Sequence, residues 1–135
     1  MSNELYPEGV DQFLTGGINL PSHTIKVTLI DTADYTYSSA HDFIDDVPAA
    51  ARVATATLAN VTVTAGVVDA DDATFTTVAG DVSEALIIWR DTGVEATSPL
   101  IAYIDTATGL PVTPNGTNIT VTWDSGANKI FSIIS

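Results

Sequence analysis

Residues 84–90 read EALIIWR, and five apolar side chains follow one another from Ala85 to Trp89. A strand with one face in water alternates apolar and polar residues, so an unbroken apolar run predicts a strand that is covered on both faces. Residues 99–105, PLIAYID, show the same pattern. We interpret both segments either as central strands of a sheet or as strands whose second face meets another chain.

Alternating patterns on either side of these segments predict further strands. TIKVTLI (24–30) places Ile25, Val27 and Leu29 on one face, and NITVTWD (118–124) alternates in the same way. In all, strands are predicted at 24–30, 51–58, 60–68, 73–78, 84–90, 99–105, 118–124 and 129–134. Short strands at this spacing predict a mainly β fold, an antiparallel β-sandwich or barrel of about eight strands.

One helix is predicted at about residues 6–15, before the first long strand. Pro7 suits a first helical turn, and Gly16-Gly17 suits a helix end. Tyr6, Val10, Phe13 and Leu14 form an apolar stripe that must cover a sheet or a partner subunit. Asp-Thr pairs follow three predicted strands, at residues 31, 91 and 105, where their side chains can bond nearby backbone N–H groups in turns.

Length indicates the number of domains, and charge excludes several classes of partner. The chain has 135 residues, which suits a single domain over 1–135, and contains no cysteine for a disulfide or a thiolate metal site. Its 17 acidic residues outnumber four scattered basic ones, for a net charge of −13. Nucleic acid and anionic membranes bind clustered Lys and Arg, so neither is expected as a partner. No apolar run reaches the length of a membrane span, and the N-terminus has no secretory signal pattern.

The segment HDFIDDV, residues 41–47, is the densest group of polar side chains. His41, Asp42, Asp45 and Asp46 are possible ligands for a divalent ion, and His41 with Asp45 is a possible acid–base pair. Their spacing matches no metal motif, and no third catalytic group accompanies them. We therefore interpret the segment as an exposed turn, anchored by the apolar side chains of Phe43, Ile44 and Val47.

Motifs elsewhere do not indicate catalysis. Asp69, Asp71 and Asp72 begin like a calcium loop, but Thr74 and Gly80 occupy the positions of its glycine and its terminal glutamate. The sequence has no Cys nucleophile, no G-x-S-x-G and no phosphate-binding loop. A non-enzyme without metal or cofactor is predicted.

Five residues are candidates for an interface. Tyr35 and Tyr37 alternate within DYTYS and lie outside the strongest strand patterns, and tyrosine is enriched at protein interfaces. Ile88 and Ile101 lie in the two segments that are apolar on both faces, where contacts between subunits are predicted. With Tyr103, the two tyrosines could instead stack on sugar rings in a carbohydrate-binding module.

Nearly the whole chain resembles a family of small structural proteins of tailed-bacteriophage particles. The resemblance lies in LYPEGVDQFLTGGINL (5–20), IKVTLIDTADYTYSSAHDFIDDV (25–47), ARVAT (51–55) and LIAYIDTATGLPVTPNGTNITVTWDSGANKIF (100–131). It carries over no catalytic residue. It implies a place in the virion after assembly in the bacterial cytoplasm, as a capsid decoration (cement) protein or as a head-fibre or minor tail component.

The leading hypothesis is decoration of the outer surface of the phage head. The expected partner is the major capsid protein, and the expected form is a homo-oligomer, with a trimer matching the local threefold positions of a head. Many copies that span neighbouring capsid subunits would stabilise the shell through effective concentration.

Overall fold

A computed structural model of the chain describes residues 4–105, 110–123 and 130–132. The fold is mainly β, with 36% of the described residues in strands and 15% in helices. A sheet of five strands and two smaller sheets enclose a shared core, and no closed barrel forms among the described residues. The predicted mainly β class is confirmed, in the form of a sandwich-like packing of sheets.

The elements are β1 (Glu4–Leu5), α1 (Pro7–Thr15), β2 (Ile25–Ile30), β3 (Arg52–Thr57), β4 (Thr62–Thr64), β5 (Val67–Asp69), β6 (Ala73–Phe75), β7 (Ala85–Arg90), β8 (Leu100–Ile104), β9 (Ile119–Val121) and β10 (Phe131–Ser132), with three short 3₁₀ helices at Ile44–Asp46, Ala49–Ala51 and Glu95–Thr97. The five-stranded sheet is antiparallel and has the order β1-β8-β7-β2-β3. The other two sheets have the orders β10-β5-β4 and β6-β9.

The predicted strand at 60–68 is wrong, because the structure divides it into a hairpin. Thr64 pairs with Val67, so Ala65 and Gly66 form a two-residue turn with φ angles of 52° and 80°. Such turns need positive φ at both central residues, and the glycine makes this conformation accessible. Residues 129, 133 and 134 of the strand predicted at 129–134 lie outside the described residues.

Helix α1 confirms the prediction at the N-terminus. Pro7 occupies the first turn, and Gly16 ends the helix with a φ of 84°. The helix packs on β8 through Gly9, where an added Cβ would lie 2.5 Å from the carbonyl oxygen of Leu100. Leu14 does not join this contact, since 77% of it is exposed, so the predicted apolar stripe is wrong at that residue.

Both faces of the central strands are filled by this same chain. On β7, Leu86 and Ile88 face the core shared with the small sheets, whereas Ile87 and Trp89 face a second core on the opposite side. The second core is covered by the segment between β2 and β3, which contributes Tyr35, Ile44, Val47 and Ala51, and by Tyr6 ahead of α1. The prediction of central strands is confirmed, and their second face needs no other chain.

Candidate functional site

Ile88 and Ile101 do not form an interface in this fold. Ile88 is 1% exposed and Ile101 is 0% exposed, and both belong to the core between the sheets. Ile101 sits beside a register shift in the pairing of β7 with β8, where Ile88 pairs with Ala102 and Trp89 with Leu100. The structure thus contradicts the predicted subunit contact at these two residues, because the side chains present no surface to a partner.

The other three interface candidates come together on the opposite side of the five-stranded sheet. The ring centroids of Tyr35 and Tyr37 lie 6.4 and 5.8 Å from that of Tyr103. Tyr6 joins them, with its ring 4.9 Å from Tyr37. Tyr35 and Tyr37 lie in irregular chain rather than in a strand, so the predicted alternation does not explain their shared location. Strand β8 and the segment after β2 bring them together.

A hydrogen-bonded chain fixes the buried side of this cluster. The hydroxyls of Tyr6 and Tyr35 are 2.7 Å apart, and the Tyr35 hydroxyl is 2.9 Å from Nδ1 of His41. The Tyr37 hydroxyl donates to the carbonyl oxygen of Leu5 at 3.0 Å. Burial raises the pKa of Tyr35 to about 12 and raises that of Tyr6 further, so both phenols are neutral at physiological pH.

The open side of the cluster is a pocket of about 410 Å³, which we call the tyrosine pocket. It is lined by Thr32, Tyr35, Thr36, Tyr37, Glu84, Tyr103, Asp105 and Pro111. Tyr35 and Tyr103 are each 4% exposed, so the prediction of surface tyrosines is wrong for these two, whereas Tyr37 is half-buried. Burial raises the pKa of Tyr103, and the carboxylates of Asp105 and Glu84 raise it further.

Glu84 and Asp105 were not among the predicted site residues, although the sequence contains a signal for them. Glu84 precedes β7 and Asp105 follows β8, and antiparallel pairing of these strands places the two positions at the same end of the sheet. The backbone N–H of Thr32 donates to Oε1 of Glu84 at 3.1 Å, which holds that carboxylate at the pocket. Pairing the two apolar segments in sequence would have brought these residues together.

The HDFIDDV segment forms a turn around the 3₁₀ helix Ile44–Asp46, with Ile44 and Val47 buried and Phe43 half-buried. Its three Asp residues are exposed, which confirms the predicted turn. Arg52 holds the turn by donating to the carbonyl oxygens of Ile44 and Val47, each at 2.8 Å.

His41 of this segment is bound to Tyr35 rather than grouped with the carboxylates. Oxygens of Asp42, Asp45 and Asp46 lie within 4.8 Å of one another, as do those of Asp31, Asp34 and Asp81. Asp46 accepts a hydrogen bond from the backbone N–H of Asp42, which lowers the pKa of Asp46, while burial and the neighbouring Asp46 raise that of Asp42. Asp31 is buried and the other five acids are exposed, and groups of exposed acids are common in proteins without a metal ion.

Two further sequence predictions concern polar loops. Asp31 accepts from the N–H of Ala33 at 2.9 Å, and Asp91 accepts from that of Gly93 at 2.8 Å, so these Asp-Thr pairs stabilise turns as predicted. The third pair begins at Asp105 and continues outside the described residues. In the region resembling a calcium loop, Asp72 accepts from the N–H of the buried Trp123.

The basic residues that the structure describes are engaged within the fold. Lys26 forms an ion pair with Asp91 at 3.1 Å, and Arg52 forms two hydrogen bonds to Glu95, at 2.9 and 3.0 Å. The N–H of Gly93 and then Lys26 lower the pKa of Asp91, and the hydrogen bonds from Arg52 lower that of Glu95. Arg90 donates to the carbonyl oxygen of Gly17 at 2.8 Å. The fourth basic residue, at position 129, is outside the described residues.

Comparison with known proteins does not assign this chain to a family. Neither the models of known protein families nor the curated proteins gave a match to this chain. Within the described residues, no helix is long and apolar enough to cross a membrane.

Proposed function

We propose that this chain is a non-enzymatic structural protein of a tailed-bacteriophage particle, which binds the outer surface of the head as a decoration protein. The proposal rests on the sequence resemblance to small virion proteins, from LYPEGVDQF (5–13) to the segment ending at residue 131. The proposed partner is the major capsid protein, and the proposed form is a homo-oligomer with several contact points on the head.

The charge distribution supports a protein partner with basic groups. Lys26 and Arg52 form ion pairs with carboxylates of this chain, and Arg90 donates to a carbonyl oxygen, so these three cations are engaged within the fold. The uncompensated charge is acidic, consistent with a net charge of −13. Complementary potentials accelerate association and select partners, so a basic patch on a capsid subunit is the expected counterpart.

The packing supports contacts through loops and edges rather than through sheet faces. Both faces of the central strands are filled, so a rigid scaffold presents its peripheral groups to a partner. Exposed apolar side chains occur at Leu14, Val63 and Val94, on the helix, the β4 edge and the loop before the third 3₁₀ helix. Several weak contacts of this kind, repeated in an oligomer, would bind a shell tightly through effective concentration.

Copy number tests this proposal directly. The amount of this chain in purified particles of a phage that encodes it would be measured by quantitative mass spectrometry relative to the major capsid protein. A ratio near one, or a simple fraction such as one-half or one-third, is expected for a protein that covers the head. A ratio of a few per cent would replace decoration with a minor tail or fibre role, and absence from the particle would refute a virion role.

A further inference from the structure

Two surface segments that are far apart in sequence, residues 42–47 and 91–98, are fastened to each other. The backbone N–H of Ile44 donates to the carbonyl oxygen of Ser98 at 2.9 Å, and Phe43 forms an isolated antiparallel bridge to the residue after Ser98. Each segment contains one of the short 3₁₀ helices, and these two helices lie next to each other. We call the exposed side of the two segments the 3₁₀ surface.

The side chain of Arg52 ties the same two segments together a second time. Nη2 donates to the carbonyl oxygens of Ile44 and Val47, each at 2.8 Å. Nη1 and Nη2 also donate to the two carboxylate oxygens of Glu95, at 2.9 and 3.0 Å. A guanidinium that binds a carboxylate through two nitrogens holds it in a defined orientation. The charge of Glu95 is thereby paired within the chain, and the two segments are held in one relative position.

Hydroxyl groups within the loop at 91–98 hold its tip. Oγ of the buried Ser98 donates to the carbonyl oxygen of Val94 at 2.8 Å. The hydroxyls of Thr92 and Thr97 lie 3.0 and 3.2 Å from the same oxygen. The backbone of Val94 is therefore fixed from inside the loop, while the residue itself is 58% exposed. An apolar side chain on an ordered loop loses less conformational entropy on binding than one on a flexible loop.

The 3₁₀ surface carries apolar and acidic side chains together. Its exposed apolar side chains are those of Val94 and Ala96 in the loop, and the exposed acids of the turn are Asp42, Asp45 and Asp46. One carboxylate oxygen of each of these Asp residues lies within 4.8 Å of the other two, which concentrates their negative charge. A partner that fits this surface presents an apolar socket beside basic side chains.

Charge excludes a second copy of this chain as that partner. The net charge is −13, so two copies repel each other where their acidic surfaces meet. The basic residues that the structure describes make contacts within their own chain, at Lys26, Arg52 and Arg90. The surface therefore fits a different protein, one that supplies its own Lys or Arg side chains.

We propose that the 3₁₀ surface is the contact through which this chain binds that protein, with Val94 in an apolar socket and the Asp residues against basic side chains. The exposed Val63 is a poorer candidate, because it lies between Thr62 and Thr64, which carry no charge to attract a basic partner. The identity of the partner as a capsid subunit rests on the proposed function, whereas the choice of surface rests on the contacts described above.

Competition for incorporation into particles tests the contact. A copy of the chain marked by Thr62→Ser, an exposed position on β4, would be expressed from a plasmid during infection by a phage that encodes the chain. Quantitative mass spectrometry would give the ratio of marked to phage-encoded chain in purified particles and in the lysate. The marked chain without further substitution is expected to enter particles in the proportion in which the lysate contains it.

Variants of the marked chain then assign the contact. Val94→Asp places a charge in the expected apolar socket, and Asp45→Lys reverses one of the acids, so each should lower incorporation by about tenfold or more. The matched controls are Val82→Asp and Asp81→Lys, at exposed residues that precede β7, whereas the loop with Val94 follows that strand. Both controls should enter particles like the marked chain. Urea midpoints establish which variants fold, and Val94→Ser, which should also lower incorporation, replaces Val94→Asp if that variant does not.

Three results would overturn the choice of surface. The first is undiminished incorporation of folded Val94→Asp and Asp45→Lys. The second is an equal loss with Val82→Asp and Asp81→Lys, which would show that any such change of charge has this effect. The third is a loss with Leu14→Asp but not with Val94→Asp, which would move the contact to α1. Absence of both the marked and the phage-encoded chain from particles is a different result, since it would refute the proposed function and, with it, a capsid subunit as the partner.

Discussion

Replacement of Ile101 distinguishes a core residue from a subunit contact. Ile101 is fully buried on β8, next to the close approach of Gly9. Ile101→Val removes one methylene group and is expected to lower the free energy of unfolding by about 0.5–1.5 kcal/mol, and Ile101→Ala by about 2–5 kcal/mol. Ile101→Asp adds an unpaired carboxylate to an apolar core, at a cost comparable with the ~5–15 kcal/mol that stabilises a typical domain.

Urea unfolding followed by tryptophan fluorescence measures this series. Trp89 and Trp123 are 8% and 7% exposed, one in each core, so their emission reports on the loss of both. The midpoint should fall in the order Val, Ala, Asp, with Ile101→Asp unfolded or nearly so in water. Val63→Asp is the control, because Val63 is 47% exposed and should tolerate the same charge.

Light scattering after size-exclusion chromatography supplies the decisive comparison. An Ile101→Asp protein that unfolds with the wild-type midpoint and differs only by a smaller assembly mass would refute the reasoning. Such a result would place Ile101 between subunits, as the apolar pattern of residues 99–105 allowed. Loss of the folded state together with any assembly is the result that the structure leads us to expect.

Two further predictions follow from the helix contact and from the tyrosines. Gly9→Ala should lower the urea midpoint, because the new methyl group would crowd the Leu100 carbonyl oxygen at a cost of about 1–3 kcal/mol. This cost exceeds the ~1 kcal/mol that alanine gains in helix propensity. A raised midpoint would contradict the close packing. The free energy of unfolding should also fall between pH 10 and pH 12. Tyrosine has a pKa near 10 in the unfolded chain, whereas the pKa of Tyr35 in the folded state is about 12. Over this range the unfolded state releases a proton that the folded state retains, which favours unfolding. Urea midpoints at pH 8, 10 and 11 measure this loss, and Tyr35→Phe should lose less over that range; equal losses in both proteins would exclude Tyr35 as its source.

Local patterns in the sequence were sufficient to predict the helix and the longest strands. Alternation at 24–30 and 118–124 and the apolar runs at 84–90 and 99–105 predict strands, and all four occur in the structure, as β2, β9, β7 and β8. Such patterns are reliable because the two-residue period of a strand is a property of its own backbone. They failed at 60–68, where Ala65 and Gly66 adopt positive φ, because the alternation on either side of a two-residue turn can look continuous.

Only the tertiary structure shows which segments cover the two faces of the central strands β7 and β8. The apolar run at 84–90 predicts that Ile88 lies on a strand with two apolar faces. It does not indicate whether this chain or another one covers the second face. Folding places the small sheets on one face and the segment after β2 on the other, which buries Ile88 within one chain. The tyrosine pocket arises in the same way, from Tyr35, Glu84 and Tyr103, which are far apart in sequence. Periodicity reports whether a side chain is buried, whereas its partners depend on contacts between distant segments, and these are set by how the sheets pack.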